Sequence, residues 1–165
     1  MATTYYVHKG TGTDGPSVSG DTSNPWASIS YSLGRMAAGD TLKVRAGVTP
    51  YYESVTVSLA GITIEADTGH SPIIDGKYDP SEGYFKPNGD FVVPSGQYPP
   101  DGNDWVFEGE NTAQMLINAQ NVTIRNLIFR YSPGRCLTFN KNVTGANASG
   151  STAVGCIFDY AYDAC

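Results

Sequence analysis

Short apolar runs recur along the first half of the chain and predict β-strands. The runs Thr41–Arg45 (TLKVR) and Ser54–Ser58 (SVTVS) alternate apolar and polar residues, with the two-residue period of a strand that buries one face. Residues 3–7, Ile62–Glu65 and Ile73–Asp75 are further runs rich in β-branched or aromatic residues. No helical pattern returns between these runs, which argues against repeated β-α-β units.

One segment near the N-terminus predicts a helix instead. Asn24 is suited to cap free backbone amides, and Pro25 suits the first helical position because its missing N–H costs nothing there. Gly39 and Asp40 are predicted to end the helix. The residues that would share one apolar face, at spacings of three and four, are Trp26, Ile29, Leu33 and Met36. A single apolar stripe predicts that this helix lies against the rest of the protein.

The second half of the chain contains an internal repeat. The run Asn121–Tyr131 aligns with 150–160 at an offset of 29 residues, so that Ile128-Phe129 matches Ile157-Phe158. Asn126 aligns with Gly155, and both residue types tolerate a tight turn. Without the polar loop 141–149 the period falls to the low twenties, which predicts a β-solenoid with coils about 4.8 Å apart. The side chains expected to be buried and to stack on the next coil are Val122, Ile124, Leu127 and Phe129.

Residues 77–112 interrupt the strand pattern, and we call this segment the excursion. It contains five of the ten prolines, seven acidic residues and seven aromatic ones. A segment of this length without a strand or helix pattern is typical of a functional loop. Tyr or Trp rings stack on the apolar faces of sugars, and nearby Asp, Asn and Glu bind the hydroxyls. We therefore predict Tyr84, Tyr98 and Trp105 as sugar-binding residues; the alternative is that these rings only anchor the loop.

Composition narrows the class of protein. The chain has 165 residues, 19 Gly and 10 Pro, which fits one turn-rich β domain rather than a helical bundle. A net charge of -6 disfavours nucleic acids and anionic membranes as partners, because both are negative. No apolar run approaches the roughly 18 residues of a membrane span, and the N-terminus has no secretory signal pattern. Three cysteines without a C-x-x-C pair predict neither a disulfide framework nor a zinc site.

The order of several motifs resembles right-handed parallel β-helix proteins of the pectate-lyase-like superfamily. These motifs are TYYV at 4–7, PWASI at 25–29, AGDTL at 38–42, VRAG at 44–47, YE at 52–53, IIDG at 73–76 and NVTIRNLIF at 121–129. The resemblance implies an all-β solenoid whose open N-terminal end is capped by a short amphipathic helix. It divides a single domain, 1–165, into a capping region 1–40, coils 41–76 and 113–165, and the excursion 77–112. The excursion departs from the usual pattern of the superfamily.

The same architecture carries several functions, so the resemblance favours a class rather than one activity. Our leading hypothesis is a structural, carbohydrate-contacting segment of a virion or cell-surface appendage, such as a phage fibre, spike or decoration protein. Its partners would be a polysaccharide or glycan, other virion subunits, or copies of the chain, and it would act in the virion or outside the cell. The alternative is the N-terminal part of a polysaccharide lyase, acting by β-elimination, or of a glycoside hydrolase. No C-terminal cap is recognisable, and we expect the chain to be part of a longer protein.

Candidate groups for lyase chemistry are Arg125, Arg130 and Arg135, since β-elimination on uronates needs a base and a positive charge. Solvent-exposed arginines on outer faces are the alternative interpretation. Hydrolysis needs two carboxylates about 5 to 10 Å apart. Asp159 and Asp163 are the candidate pair in the coils, but four residues of extended strand span about 13 Å.

The remaining candidates are weaker. The segment Asp101–Asp104 is oxygen-rich like a calcium loop, but we expect an ordinary turn there, because the bidentate Glu of an EF-hand falls out of register. Asp75 is expected to bond local backbone after a buried strand. His8 and His70 lie in loops without a Cys or His partner, and Cys136 and Cys156 are expected to be small core residues. The sequence therefore predicts no catalytic residue, no metal ligand and no cofactor, with Ca²⁺ as the single alternative.

Overall fold

The computed structural model describes residues 1–76, 78–79, 84–85, 113–132, 135–143 and 146–161. These residues form an all-β structure with a single short helix, and most of the strands pair in parallel. In chain order the elements are β1 (Thr4–His8), α1 (Ile29–Leu33), β2 (Thr41–Arg45), β3 (Val55–Val57), β4 (Thr63–Ala66), β5 (Ile73–Asp75), β6 (Tyr78–Asp79), β7 (Tyr84–Phe85), β8 (Met115–Ile117), β9 (Thr123–Arg125), β10 (Ile128–Ser132), β11 (Leu137–Phe139), β12 (Lys141–Val143), β13 (Ala146–Asn147), β14 (Thr152–Val154) and β15 (Ile157–Ala161). The all-β class predicted from the sequence is confirmed.

Three parallel sheets organise these strands. Sheet A has the order β1-β2-β4-β9-β14, sheet B has the order β15-β10-β5, and sheet C has the order β11-β8-β3. From β4 onward the chain visits the sheets in the order A, B, C, first through β4, β5 and β8 and then through β9, β10 and β11. Before that it passes from β2 in sheet A to β3 in sheet C, and between these two strands only an isolated bridge joins Tyr51 to Ile74 of β5. Two short antiparallel pairs, β6 with β7 and β12 with β13, lie outside these sheets. The pair β12–β13 falls in a segment that the sequence predicted to be a loop.

The 29-residue repeat is confirmed as the register of neighbouring strands. Thr123 pairs with Thr152 in sheet A, and Ile128 pairs with Ile157 in sheet B. Ile128 also pairs with Ile73 on its other side, so the register continues across the excursion. Strands far apart in sequence therefore hold equivalent positions in one stack.

The core consists of inward-facing rows that run from strand to strand. Leu42, Ile64 and Ile124 form one such row in sheet A, and each is fully buried. The predicted core positions Val122, Ile124, Leu127 and Phe129 are likewise fully buried. The rings of Phe129 and Phe158 stack with their centroids 5.5 Å apart, as parallel pairing of β10 with β15 requires. The predicted stacking of one repeat on the next is confirmed.

The predicted helix begins later than expected and is shorter. It covers only Ile29–Leu33, with Ser28 rather than Asn24 as its N-cap. The reason is that the backbone of Trp26 pairs with β1: its N–H donates to Tyr6 O, and its carbonyl accepts from His8 N. A residue that bonds a neighbouring strand in this way cannot also join a helical turn.

The apolar stripe nevertheless faces the body of the protein as predicted. Trp26, Ile29 and Met36 are buried, Leu33 is partly buried, and α1 packs against β1 and β3. The Trp26 ring stacks on Tyr5 at 5.0 Å, and its Nε1 donates to a backbone carbonyl at 3.0 Å. These contacts cover the edge of sheet A that β1 would otherwise leave open.

We predict that Trp26→Ala lowers the free energy of unfolding by about 3 to 5 kcal/mol, the usual loss for a large buried aromatic side chain. Chemical denaturation monitored by circular dichroism measures this change. Val48→Ala is the matched control, because Val48 is fully exposed and its truncation removes no packing. If Trp26→Ala lowers the free energy of unfolding no more than Val48→Ala does, Trp26 does not stabilise the edge of sheet A at β1.

Turns in the left-handed conformation separate β9 from β10 and β14 from β15. Asn126 has φ 56° and the equivalent Gly155 has φ 66°. A Cβ on Gly155 would lie 2.3 Å from the side-chain oxygen of Asn126 in the turn below. With the Asn126 side chain in this position, a residue larger than glycine at 155 would have to displace its amide group, and glycine also adopts the left-handed backbone without strain.

We predict that Gly155→Ala destabilises the protein by more than the about 1 to 2 kcal/mol that left-handed backbone alone costs an alanine. Gly69→Ala isolates the backbone effect, because Gly69 has φ 79° and open space around its Cβ position. Adding Asn126→Gly should recover the difference between these two variants in a double-mutant cycle. Equal losses at Gly155 and Gly69 would refute the contact between successive turns.

Candidate functional site

The excursion leaves and rejoins the sheets at one point. The Gly76 N–H, after β5, donates to the carbonyl oxygen of Arg130 at 3.0 Å. The side-chain Nε2 of Gln114, just before β8, donates to the same oxygen at 2.8 Å. We call Asp75, Gly76, Gln114 and Arg130 the excursion root. Because one carbonyl on the next strand bonds both ends, the sheets continue past the excursion without a break.

Gln114 links the root to sheet C. Its backbone N–H donates to Arg135 O at 3.0 Å, and its carbonyl accepts from Val55 N at 2.8 Å. Its side chain is almost fully buried, yet within the described part of the chain its Oε1 atom has no hydrogen-bond partner, and the same is true of the buried hydroxyl oxygens of Ser132 and Thr138. Tyr131, beside Ser132, has a positive φ of 52°, which is uncommon for a residue other than glycine. Unsatisfied polar atoms and uncommon backbone angles concentrate at functional sites, so the root is the strongest candidate site.

A row of charged residues crosses the outer face of sheet B at this root. Asp75, Arg130 and Asp159 occupy equivalent positions on β5, β10 and β15. Arg130 Nε and Asp75 Oδ2 form an ion pair at 3.0 Å, with Asp75 almost fully buried and Arg130 one-third exposed. Asp159 is exposed. Asp75 was expected to bond local backbone; the structure shows an ion pair with an arginine 55 residues later, which the sequence did not predict.

Sequence reasoning did not bring these three residues together. Asp75 precedes the excursion in sequence and Arg130 follows it, so the sequence alone does not show that they occupy equivalent strand positions. The signal that could have found them is a triplet of two apolar residues followed by a charge, in three copies: Ile73–Asp75, Ile128–Arg130 and Ile157–Asp159.

The three arginines proposed for lyase chemistry do not converge. Arg125 lies exposed on the outer face of sheet A, Arg130 lies on sheet B, and Arg135 precedes β11 of sheet C. Their five-residue spacing places them on three different sides of the stack. No common substrate position is formed by the three guanidinium groups.

The outer face of sheet A carries paired charges instead. Lys43 and Glu65 form an ion pair at 2.8 Å, and this hydrogen bond raises the pKa of Lys43 above its usual value. Burial alone would raise the pKa of Asp67, but the bonds from Arg45 and from the Thr68 amide outweigh it and lower that pKa. These pairs hold neighbouring strands and loops together, and neither leaves a charge available for catalysis.

The remaining candidate residues either have structural roles or lie outside the described residues. The imidazole of His8 bonds the Thr11 hydroxyl, and His70 Nδ1 accepts from the Ala46 amide at 3.1 Å. Cys136 is fully buried and Cys156 partly buried, as predicted. Tyr84 contributes its backbone to β7, but its side chain is not described. The candidates that fall wholly outside the described residues are Tyr98, 101–104, Trp105 and Asp163.

Two kinds of feature are absent from the described residues, a metal-binding cluster and a membrane-spanning helix. These residues contain no cluster of three His, Cys, Asp or Glu side chains arranged to hold a metal ion. They also contain no helix long and apolar enough to cross a membrane.

Comparisons with family models, with curated proteins and with solved structures gave no match to this chain. The functional argument therefore depends on the chain's own geometry.

We predict that replacing residues 77–112 with a short glycine-containing turn leaves the protein folded. Gly76 and Gln114, which flank the segment and remain in this variant, both bond the carbonyl of Arg130, and a shorter connection lowers the entropy cost of closing the loop. Circular dichroism should show retained β structure and one cooperative unfolding transition. The control is the same replacement combined with Phe129→Ala, which opens the core and should lose about 3 to 5 kcal/mol. Loss of the folded state on truncation alone would show that the excursion is part of the core.

Proposed function

We propose that the chain forms a right-handed parallel β-helix similar to those of the pectate-lyase-like superfamily. The cyclic order of sheets A, B and C from β4 to β11 supports this, since each of these two cycles adds one strand to each sheet in register. The short helix and Trp26 then cap the first coil. An edge of unpaired backbone groups would otherwise recruit another chain, so a solenoid needs such a cover.

We further propose that it is a structural, carbohydrate-contacting segment of a virion or cell-surface appendage, such as a phage fibre, spike or decoration protein. The observation that carries this proposal is the excursion root. Gly76 and Gln114, which flank the aromatic- and acid-rich segment, both bond the carbonyl of Arg130, so the segment would be presented from two fixed points on a regular stack. Binding surfaces are commonly loops held by such a scaffold.

The same root argues against catalysis by the described residues. Asp75 and Asp159 lie two strands apart, about 10 Å, and the guanidinium of Arg130 stands between them. A general acid needs a carboxyl group that can donate a proton to substrate, whereas the almost fully buried carboxylate of Asp75 is paired with Arg130. The alternative function, the N-terminal part of a polysaccharide lyase or glycoside hydrolase, therefore needs catalytic residues on other coils.

We predict that the 165-residue chain binds glycans without degrading them. Incubation with pectate, alginate and chondroitin, with and without Ca²⁺, should release neither unsaturated uronates, detected by ultraviolet absorbance, nor new reducing ends. A glycan array should show binding by the intact chain, and the chain with residues 77–112 replaced is the matched control that should lose it. Turnover by the intact chain would refute the appendage function and favour the enzyme. Absence of binding to any glycan would refute carbohydrate contact.

A further inference from the structure

The outer face of sheet B carries a row of isoleucines beside a row of charged residues. Ile73, Ile128 and Ile157 form the apolar row on β5, β10 and β15, and they are half-buried to exposed, with Ile157 56% exposed. Asp75, Arg130 and Asp159 form the polar row two residues further along each strand. Because alternate residues of a strand share a face, the two rows lie side by side, about 7 Å apart.

Arg130 and Asp159 offer complementary hydrogen-bonding groups at the exposed end of this surface. The Nε of Arg130 donates to Asp75, and the guanidinium carbon lies 5.2 Å from the centroid of the Tyr131 ring, while the described residues give neither Nη atom a hydrogen-bond partner. The exposed carboxylate of Asp159, on the neighbouring strand, likewise has no bond within the described part of the chain. The site thus presents up to four N–H donors next to a carboxylate acceptor.

We propose that Arg130, Asp159, Ile128 and Ile157 form a subsite for one neutral sugar ring. Each sugar hydroxyl is both a donor and an acceptor, so a vicinal pair can accept from Arg130 and donate to Asp159. The apolar C–H face of the ring would rest on the two isoleucines. This inference rests on the carbohydrate-contacting function proposed above and adds a second contact beside the excursion root.

The charge of the row selects against acidic sugars. Two carboxylates flank one guanidinium, and the ion pair with Asp75 already uses that positive charge. A uronate carboxylate placed at Arg130 would also face the unpaired charge of Asp159, and like charges at such distances repel. The subsite therefore takes neutral hexoses in preference to uronates.

Nuclear magnetic resonance titration of the intact chain with cellobiose, maltose and lactose, and with digalacturonate, tests the subsite. A neutral disaccharide should shift the amides of Arg130, Ile157 and Asp159 and bind at least tenfold more tightly than digalacturonate. Asp159→Ala should weaken the neutral sugar at least tenfold. Asp159→Asn should keep most of that affinity and should reduce the discrimination against digalacturonate, a change that a purely structural residue would not produce.

Arg125→Ala is the matched control, since Arg125 is an exposed arginine on the outer face of sheet A and its loss should leave affinity unchanged. If the intact chain binds sugar, and truncation of the excursion abolishes binding while the Asp159 variants do not, the subsite is wrong and the carbohydrate function stands. Preference for digalacturonate over the neutral sugars would also overturn the subsite. If the intact chain binds none of these sugars and no glycan on the array, both proposals fail.

Discussion

Parallel pairing in register between strands far apart in sequence is the constraint on which the rest of the structure depends. Each strand presents its apolar residues to the same side as the strand before it, so inward rows such as Leu42, Ile64 and Ile124 stay continuous. A slip of one residue would turn every such row outward. Asn126 and Gly155 both adopt the left-handed conformation, so the turn from sheet A to sheet B is alike in the two repeats. The Asn126 side chain lies against Gly155, which has no Cβ to obstruct it.

The Tyr51 hydroxyl and the start of α1, both in the N-terminal region, have hydrogen-bond partners, unlike the Oε1 atom of Gln114 at the excursion root. The Tyr51 hydroxyl is buried, donates to Arg45 O at 2.7 Å and accepts from the Lys9 amide at 3.0 Å, and burial raises its pKa. Carboxylates of Asp14 and Glu53 accept the free amides at the start of α1. Among the described residues, the buried polar atoms without partners are those of Gln114 and Ser132, near the excursion, and of Thr138 on β11. All three lie outside the N-terminal region.

Much of the fold was predictable because it is local and periodic. β2 and β5 begin and end where the alternating and β-branched runs predicted, and the 29-residue offset gave the true strand register. The start of α1 was not predictable from capping preferences, since the pairing of Trp26 with β1 is a tertiary contact that overrides them. The charged row of Asp75, Arg130 and Asp159 was missed because only the folded register brings it together. The predicted sugar-binding rings, Tyr84, Tyr98 and Trp105, stay a prediction.

Native-state amide hydrogen exchange tests the central claim, that one cooperative parallel stack continues past the excursion. The informative amides are those of Thr63, Thr123 and Ile128, which donate to Asp40, Ile62 and Pro72 on the neighbouring turn of chain at 2.9 to 3.1 Å. The account predicts that all three exchange with the free energy of global unfolding, whereas the local turn amide of His70 exchanges much faster. Rapid exchange at Thr123 and Ile128, with protection kept at Thr63, would contradict it, because the strands on the two sides of the excursion would then be separate units.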